Sequence, residues 1–389
     1  MKILTFTSLF PNVVMPTRGV FVENRLRHLL SDTDIQSVVV APVPWFPFAK
    51  YFLSEYKEFS LVPKKENRYS VQIYHPRYFH VPKVGMVFQP FSMALSGYFL
   101  IKKIINEGYD FNLIDAHYFY PDGVAAALIA GWLNKPFLIT ARGTDLNLIP
   151  NFRIPKRLIK YAANKANALI TVCRALKDVL VDMGVQDDKV VPLRNGVDLE
   201  MFKPSVDREQ LQKKLKLKGK TIISVGYLIE RKGHNYIIEA LQHLPDVNLL
   251  IAGSGPEEVA LKALALSVGV SDRVTFLGTV GHDELREYYS AVDIMVLASS
   301  REGWANVLLE SMACGTPVVA TNIWGTPEVV ATPDAGVLVE RDAESIASGI
   351  SKLYANYPDR MQTRKYAEQF SWLDTSLGQQ TLFSSVLNS

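Results

Sequence analysis

Two carboxylates stand eight positions apart in REGWANVLLESMACGTPVVAT, residues 301–321: Glu302 directly before a glycine, and Glu310 inside an otherwise apolar run. Upstream, GYLIERKGH places Arg231 and Lys232 side by side, immediately before Gly233. Adjacent cations at a tight turn suit an anion of high charge density. A cation about 4 Å from a phosphate oxygen gains on the order of 4 kcal/mol at an effective dielectric of about 20, before desolvation. A helix N-terminus adds only roughly 0.3–1 kcal/mol. Arg231 and Lys232 are therefore expected to hold a diphosphate, with the amides of Ala305, Asn306 and Val307 orienting it. A carboxylate in the same place would repel the phosphate, so the glutamates need another role. A buried carboxylate without donors is costly, and a vicinal diol such as that of a ribose offers two O–H groups to one carboxylate. Glu310 is expected on such a diol, with pairing to a core Arg or capping of a neighbouring helix as the alternative. Glu302 should meet hydroxyls further along the same ligand.

The elements that must position these groups are legible as short β-branched runs alternating with helical stretches. Candidate strands are KILTFTS, SVVVAP, VQIY, NLIDAH, PFLITA and ALITVC in the first half, and TIISVG, VNLLIAG, RVTFLG, VDIMVLAS and PVVAT in the second. Continuous apolar runs separated by longer periodic segments indicate α/β architecture with parallel sheets covered on both faces. In such sheets the ligand lies outside the carboxyl ends of the strands. Three strand-to-helix loops should therefore rim one crevice: the loop through Gly226 to Gly233, the loop through Gly253 and Gly255, and the loop through Gly303. Asn306 is expected as the N-cap of a helix running to Cys314, with Gly315 as its stop. Neither G-x-G-x-x-G nor G-x-x-x-x-G-K-[ST] occurs, which removes the main support for a dehydrogenase or a P-loop NTPase.

The 389 residues, 48% hydrophobic, provide ample core for two domains. Turn signals in VPLRNGVDLEMFKPS place the break, giving domains 1–195 and 196–370 and a C-terminal helix 371–389. The cysteines, Cys173 and Cys314, are far apart and read as buried thiols in a reducing compartment. MKILTFTSLF reads as a first strand rather than a signal segment. VGMVFQPFSMALSGYFLI, residues 84–101, is interrupted by polar residues and reads as a packed or membrane-touching helix rather than a span. Residues 1–195 carry 24 Lys/Arg against 15 Asp/Glu, net +9, while 196–389 carry 18 against 24, net −6. The basic half is either a solvated surface or a face toward something anionic, such as a membrane or an acidic acceptor. Asp32-Thr33-Asp34 has D-x-D spacing but precedes a strand away from the glycine loops, and reads as a turn.

The E-x7-E spacing of EGWANVLLE, followed by SMACGTPVVAT and NIWGTPEVV, resembles the donor-site motif of the retaining glycosyltransferases of family four, which have the GT-B fold. The resemblance spans almost the whole chain. It takes in RGVFVENRLRHL, DAHYFYPDGVAAAL, ARGTDLN, LRNGVDLEMF, GYLIERKGH, AGSGPE and RVTFLGTV. It implies two Rossmann-like doubly wound domains facing across a cleft, the second holding a nucleotide diphosphate sugar and the first an acceptor. On the matching positions Glu310 would bind the nucleotide ribose and Glu302 the transferred sugar, while Arg231 and Lys232 would bind the diphosphate. Gly226, Gly253, Gly255 and Trp304 would line the donor, and backbone near Val280 would meet the base. Gly19 and its loop would close over the phosphates, and His117 and Asp145 would reach the transferred sugar and the acceptor side. Two positions depart from the family pattern: Tyr227 stands where many members have Arg, and Gly19 is alone where many have two glycines. Arg18 beside it is read, from its position, as a further cation for the donor.

The resemblance implies transfer of a hexose with retention and without a metal, from a UDP-sugar by default. The acceptor would be a glycan or a lipid-linked hydroxyl, in surface polysaccharide or glycolipid synthesis. Double displacement would need a carboxylate on the opposite sugar face, and none can be named from the sequence. A GT-B sugar-nucleotide epimerase and a non-catalytic sugar-nucleotide-binding subunit are the alternatives. WFPFAKYFL, YKEF, VPKKENRY and RIPKRLIKYAANK mix aromatics with basic residues, and the last has an apolar stripe. Such segments suit an anionic bilayer surface, so the expected location is cytoplasmic, peripheral at the inner face of the cell membrane. No nucleic-acid partner and no metal site are expected.

Overall fold

A computed structural model of the chain describes residues 1–48, 51, 53–82 and 85–388. Ala49, Lys50 and Phe52 of WFPFAKYFL, Lys83, Val84 at the head of VGMVFQPF, and Ser389 lie outside the described residues. The chain forms two compact units. One comprises residues 1–194 with the C-terminal helix Trp372–Asn388, and the other Asn195–Ser371.

In the first unit the strands are β1 (Lys2–Phe6), β2 (Gln36–Val40), β3 (Val43–Trp45), β4 (Lys65–Arg68), β5 (Val71–Tyr74), β6 (Arg77–Phe79), β7 (Leu113–His117), β8 (Phe137–Ala141), β9 (Ala168–Thr171) and β10 (Val190–Pro192). Eight of them form one sheet in the order β10-β9-β8-β7-β1-β2-β5-β4, while β3 and β6 pair as a small parallel ribbon. Every residue of β7, β8 and β9 is buried regardless of parity, so both faces of the sheet are covered. The continuous apolar runs were legible for this reason. The charged KENR of β4 was not: it is an antiparallel edge strand with alternating exposure and no apolar run.

The second unit holds β11 (Lys220–Val225), β12 (Val247–Ala252), β13 (Val274–Gly278), β14 (Ile294–Leu297), β15 (Val318–Thr321) and β16 (Gly336–Val339), in the order β13-β12-β11-β14-β15-β16. All pairs are parallel. In each sheet the strand order reverses beside the first strand of the unit: between β1 and β7, and between β11 and β14. These are the topological switch points at which open α/β sheets bind ligands.

The helix Trp372–Asn388 belongs to the core of the first unit. Phe383 is fully buried among Ile3, Val22, Leu26 and Leu113, and the Trp372 ring stacks on His28 at 5.0 Å. Ser376 donates to Asp32 Oδ2 at 2.7 Å, so the first carboxylate of Asp32-Thr33-Asp34 closes a helix contact. The helix Gln89–Asn106 buries Met93, Ala94, Gly97, Ile101 and Ile104 and exposes Phe91, Leu95 and Phe99. Among the described residues no helix is long and apolar enough to cross a membrane. Cys173 and Cys314 are both free and buried.

The helix Arg153–Lys165 corrects one part of the bilayer reading of RIPKRLIKYAANK, the outward apolar stripe. Its apolar stripe, Pro155, Ile159, Ala162 and Ala163, is spent on the core of the unit. What it turns outward is Arg153, Lys156, Arg157 and Lys160, with Phe152, Ile154 and Tyr161.

Candidate active site

In the second unit, pairing of β11 with both β12 and β14 brings the three expected loops together. Gly253 donates to the carbonyl of Gly278, and Gly226 to that of Ala252, continuing the ladder past the strand ends. A Cβ on Gly253 would lie 1.9 Å from the carbonyl oxygen of Gly226, so the close approach of these loops requires glycine. After Gly226 the chain forms a short 3₁₀ turn, Glu230–Lys232, closed by Gly233 at φ 69°. A side chain at 233 would meet the carbonyl oxygen of Ala298 at 2.1 Å. Ser300 N–H donates to the carbonyl of Arg231 at 2.8 Å, tying the turn to the loop that carries Glu302. Arg341, which sequence reasoning missed, braces both sides by donating to the carbonyls of Ala298 and Glu230.

At this junction Glu302 Oε1 accepts from Lys232 Nζ at 2.6 Å, from Ser299 Oγ at 2.7 Å and from Arg231 Nη1 at 3.4 Å. Arg231 Nη1 also donates to the carbonyl of Arg301 at 2.6 Å. Burial opposes ionisation of Glu302, but Lys232 and Arg231 more than compensate and hold its carboxyl below the usual glutamate range. Arg231, Lys232 and Glu302 are thus one electrostatic cluster at the β11/β14 switch point.

Glu310 is in a different state. It lies one turn inside the helix Asn306–Ala313, beside the buried Leu309 and Met312. Among the described residues it forms no ion pair, so the expected alternative of a core arginine partner does not occur. Burial pushes its carboxyl from 4.5 up to about 7, an effect only partly offset by the Tyr289 hydroxyl.

Three details differ from expectation. Asn306 is the first helical residue rather than the cap. Ala305 takes the non-helical position, and the Asn306 side chain is turned to Asn195 instead, its Oδ1 accepting from Asn195 Nδ2 at 3.3 Å. The Asn306 amide donates to the Trp304 carbonyl, so it is not one of the amides left over at the helix start. The Trp304 ring is 7% exposed and packs on Phe370 at 6.0 Å, so it belongs to the core and leaves only its backbone to the loop. Val280 follows β13, next to Thr279, whose hydroxyl meets Ser254 of the Gly253–Gly255 loop at 3.0 Å. Tyr227 is 57% exposed beside Gly226.

In the first unit His117 ends β7 and Asp145 follows β8. Asp145 is fully buried and accepts from the amides of Phe119, Arg142 and Gly143 at 2.7–3.2 Å. Burial raises its pKa against the pull of these amides. Its carboxylate therefore shapes the loops after β7 and β8, and is not presented to a ligand. His117 contacts Asp115 Oδ2 through Nε2 at 3.1 Å and Arg142 Nη2 through Nδ1 at 2.6 Å. Burial lowers its pKa to about 4, with Asp115 opposing and Arg142 reinforcing the shift.

Gly19, at φ 72°, caps the helix Val20–Asp32, and Phe21 of its first turn lies under the Arg142 guanidinium. Arg18 donates to the carbonyl of Ser8 and lies over the Phe59 ring. Ser8 in turn hydrogen-bonds through its amide and hydroxyl to Asp122, a fully buried carboxyl raised to about 7 by desolvation. Arg142, Asp115 and Asp122 all lie inside quoted motifs, yet nothing local singled them out, because their partners are distant in sequence.

Two doubly wound parallel sheets, the second with a cation–carboxylate cluster at its switch point, define a protein of the GT-B class. Structural neighbours agree over the full chain. Sucrose-phosphate synthase from Thermosynechococcus elongatus matches with a TM-score of 0.78 at 18% identity, covering 99% of this chain and 98% of that one. Anabaena HepE in complex with UDP matches at 0.75 and 20% identity, covering 99% and 100%. The sequence models fix the family. Residues 19–201 match Glycosyltransferase Family 4 and residues 206–370 match Glycosyl transferases group 1, and the chain belongs to this family of glycosyltransferases. Among its relatives is TuaC of Bacillus subtilis, a glycosyltransferase provisionally assigned to teichuronic acid biosynthesis, 26% identical across 90% of this chain and 89% of that protein.

Proposed function

We propose that this glycosyltransferase moves a hexose, with retention, from a nucleotide diphosphate sugar to a hydroxyl of a glycan or lipid-linked acceptor in surface polysaccharide synthesis. UDP is the nucleotide favoured, in keeping with the UDP-bound neighbour. The observation that carries the reading is the cluster of Lys232, Arg231 and Glu302 at the β11/β14 switch point, with Glu310, which has no ion pair among the described residues, a short way along the next helix. Lys232 and Arg231 supply fixed positive charge where a departing diphosphate develops its own, the oxyanion-type stabilisation that needs no metal. Glu302 then accepts from hydroxyls of the transferred sugar and Glu310 from the ribose. The first unit serves the acceptor, with His117 and Arg142 at the ends of β7 and β8, and Asp145 as the carboxylate that positions their loops.

A thermal-shift screen of nucleotide sugars tests the donor, because mass action raises the melting temperature only for what the folded state binds. Transfer by the hit in the presence of chelator, with the product anomer read by NMR, tests metal independence and retention. Stabilisation by no nucleotide sugar would overturn the proposal, and conversion of the donor without acceptor would transfer it to an epimerase. The outward cations of Arg153–Lys165, with exposed Phe91, Leu95 and Phe99 on Gln89–Asn106, support attachment to an anionic bilayer. Absence of co-sedimentation with anionic vesicles at low salt would remove that part.

A further inference from the structure

Behind His117 a buried chain of hydrogen bonds reaches the C-terminal helix. Gln379 on that helix and Arg25 on Val20–Asp32 are each 1% exposed. Arg25 Nε donates to Gln379 Oε1 at 2.9 Å, and its Nη1 to the carbonyl of Leu193 at 3.0 Å. Gln379 Nε2 donates to Asp115 Oδ2 at 2.9 Å. The same carboxylate oxygen meets His117 Nε2 at 3.1 Å, and His117 Nδ1 meets Arg142 Nη2 at 2.6 Å.

The polarity of every link is fixed by its ends. A guanidinium has donors and no acceptor. At one end Arg25 therefore forces Gln379 to present its oxygen, which leaves the amide nitrogen for Asp115. At the other end Arg142 can only donate, so His117 Nδ1 carries no proton. The neutral ring holds its proton on Nε2 and donates it to Asp115. Both ring nitrogens are then committed, and His117 has no free lone pair with which to take a proton from an acceptor. Its imidazole is a rigid strut between Asp115 and the Arg142 guanidinium, and the strut is set from behind.

We propose that Gln379 is a positioning residue for the transfer site, holding Asp115 so that it fixes the tautomer and ring orientation of His117 and, through it, Arg142. This rests on the reading of His117 and Arg142 as the site-facing end of the first unit. It assigns the C-terminal helix a part in turnover in addition to packing.

The test is Gln379→Leu, near in volume but without donor or acceptor, compared with Phe383→Leu, which weakens the same helix through the apolar core alone. Gln379→Leu should lower kcat about ten- to a hundredfold, the scale of a misplaced site group, with the donor KM unchanged. It should also shift the nitrogen-15 resonances of the His117 ring away from the Nε2–H pattern. Phe383→Leu should lower the melting temperature and leave kcat and those resonances in place. Should Gln379→Leu fail to fold, Gln379→Asn, which pulls the amide back by one methylene, is read in the same way. Equal kcat for the Gln379 and Phe383 variants at matched loss of melting temperature, or unmoved His117 resonances, would overturn the inference. Near-native turnover of His117→Ala would instead remove the underlying site reading, while the resonance shift in Gln379→Leu would remain.

Discussion

Glu310 offers a test in which function and stability pull in opposite directions. Its carboxyl is pushed from 4.5 up to about 7 by burial, without an ion-pair partner among the described residues. Between these values the folded chain holds a proton that the unfolded chain has released. Stability therefore falls as pH rises from about 4.5 to about 7 and is flat above that. A displacement of roughly 2.5 pH units at about 1.4 kcal/mol each gives a penalty on the order of 3 kcal/mol at pH 8. Glu310→Gln removes the charge and keeps the shape. The variant should therefore melt higher than the native protein at pH 8, on the order of 5–10 °C for a unit of this size, and the gap should close toward pH 5. The same variant should lose most of the stabilisation given by a nucleoside diphosphate, because an amide replaces the carboxylate that accepts two diol hydroxyls. Thermal denaturation at both pH values, with and without UDP, reads both effects. A variant less stable than native at pH 8 would show that the contacts of the Glu310 carboxylate outweigh its burial, and would refute the argument from desolvation. An undiminished nucleotide shift would refute the ribose assignment.

Lys232→Ala should cut turnover by about 10²–10³-fold with the melting temperature little changed, as expected when one charge-stabilising donor is removed; near-normal initial rates would contradict the diphosphate assignment. Glu302→Gln should release Lys232 and Arg231 from their bond to the carboxylate. Calorimetry should then show UDP bound at least as tightly as by the native chain, while transfer falls about a hundredfold. Weaker UDP binding would mean that Glu302 holds the cations in their working position. Gly233→Ala must place its Cβ against the Ala298 carbonyl at a positive φ. Strain of this kind costs about 1–3 kcal/mol, which should appear as a lower melting temperature and a displaced Arg231–Lys232 turn; an unchanged melt would show that the loop yields.

The sequence revealed what is local and periodic, and concealed what depends on strand order. TIISVG, VNLLIAG and VDIMVLAS announce themselves because β11, β12 and β14 are covered on both faces. Gly233 and Gly253 likewise mark their turns by composition. That Arg231, Lys232 and Glu302 lie at strand ends could also be read. That Lys232 touches Glu302, 70 residues on, could not, because it requires β14 to pair with β11 rather than with β13. Gln379 lies 264 residues from Asp115, and in TSLGQQTLF nothing separates it from a solvated glutamine. Asn306 failed as a cap for a related reason: its side chain is claimed by Asn195, 111 residues away. Arg341 and Arg142 went unmarked because a single arginine in a loop has no spacing to read, and only the carbonyls, rings and imidazole around each give it a role.

The two glutamates that begin the argument differ most in what they need from a ligand. Glu302 already has its charge satisfied, by two cations and a hydroxyl, whereas Glu310 is about half protonated at pH 7 because burial outweighs the Tyr289 hydroxyl. On the proposed reading a donor exchanges both conditions at once. Its diphosphate competes for Lys232 and Arg231, freeing lone pairs on Glu302 for sugar hydroxyls, and its ribose supplies the donors that let Glu310 ionise. Binding below about pH 7 must then release a proton from Glu310, so nucleotide affinity should rise with pH up to that value and level off above it. Calorimetry in buffers of different ionisation enthalpy counts that proton directly. In Glu310→Gln the release should vanish, and in Glu302→Gln it should persist, since Glu302 is ionised before the ligand arrives.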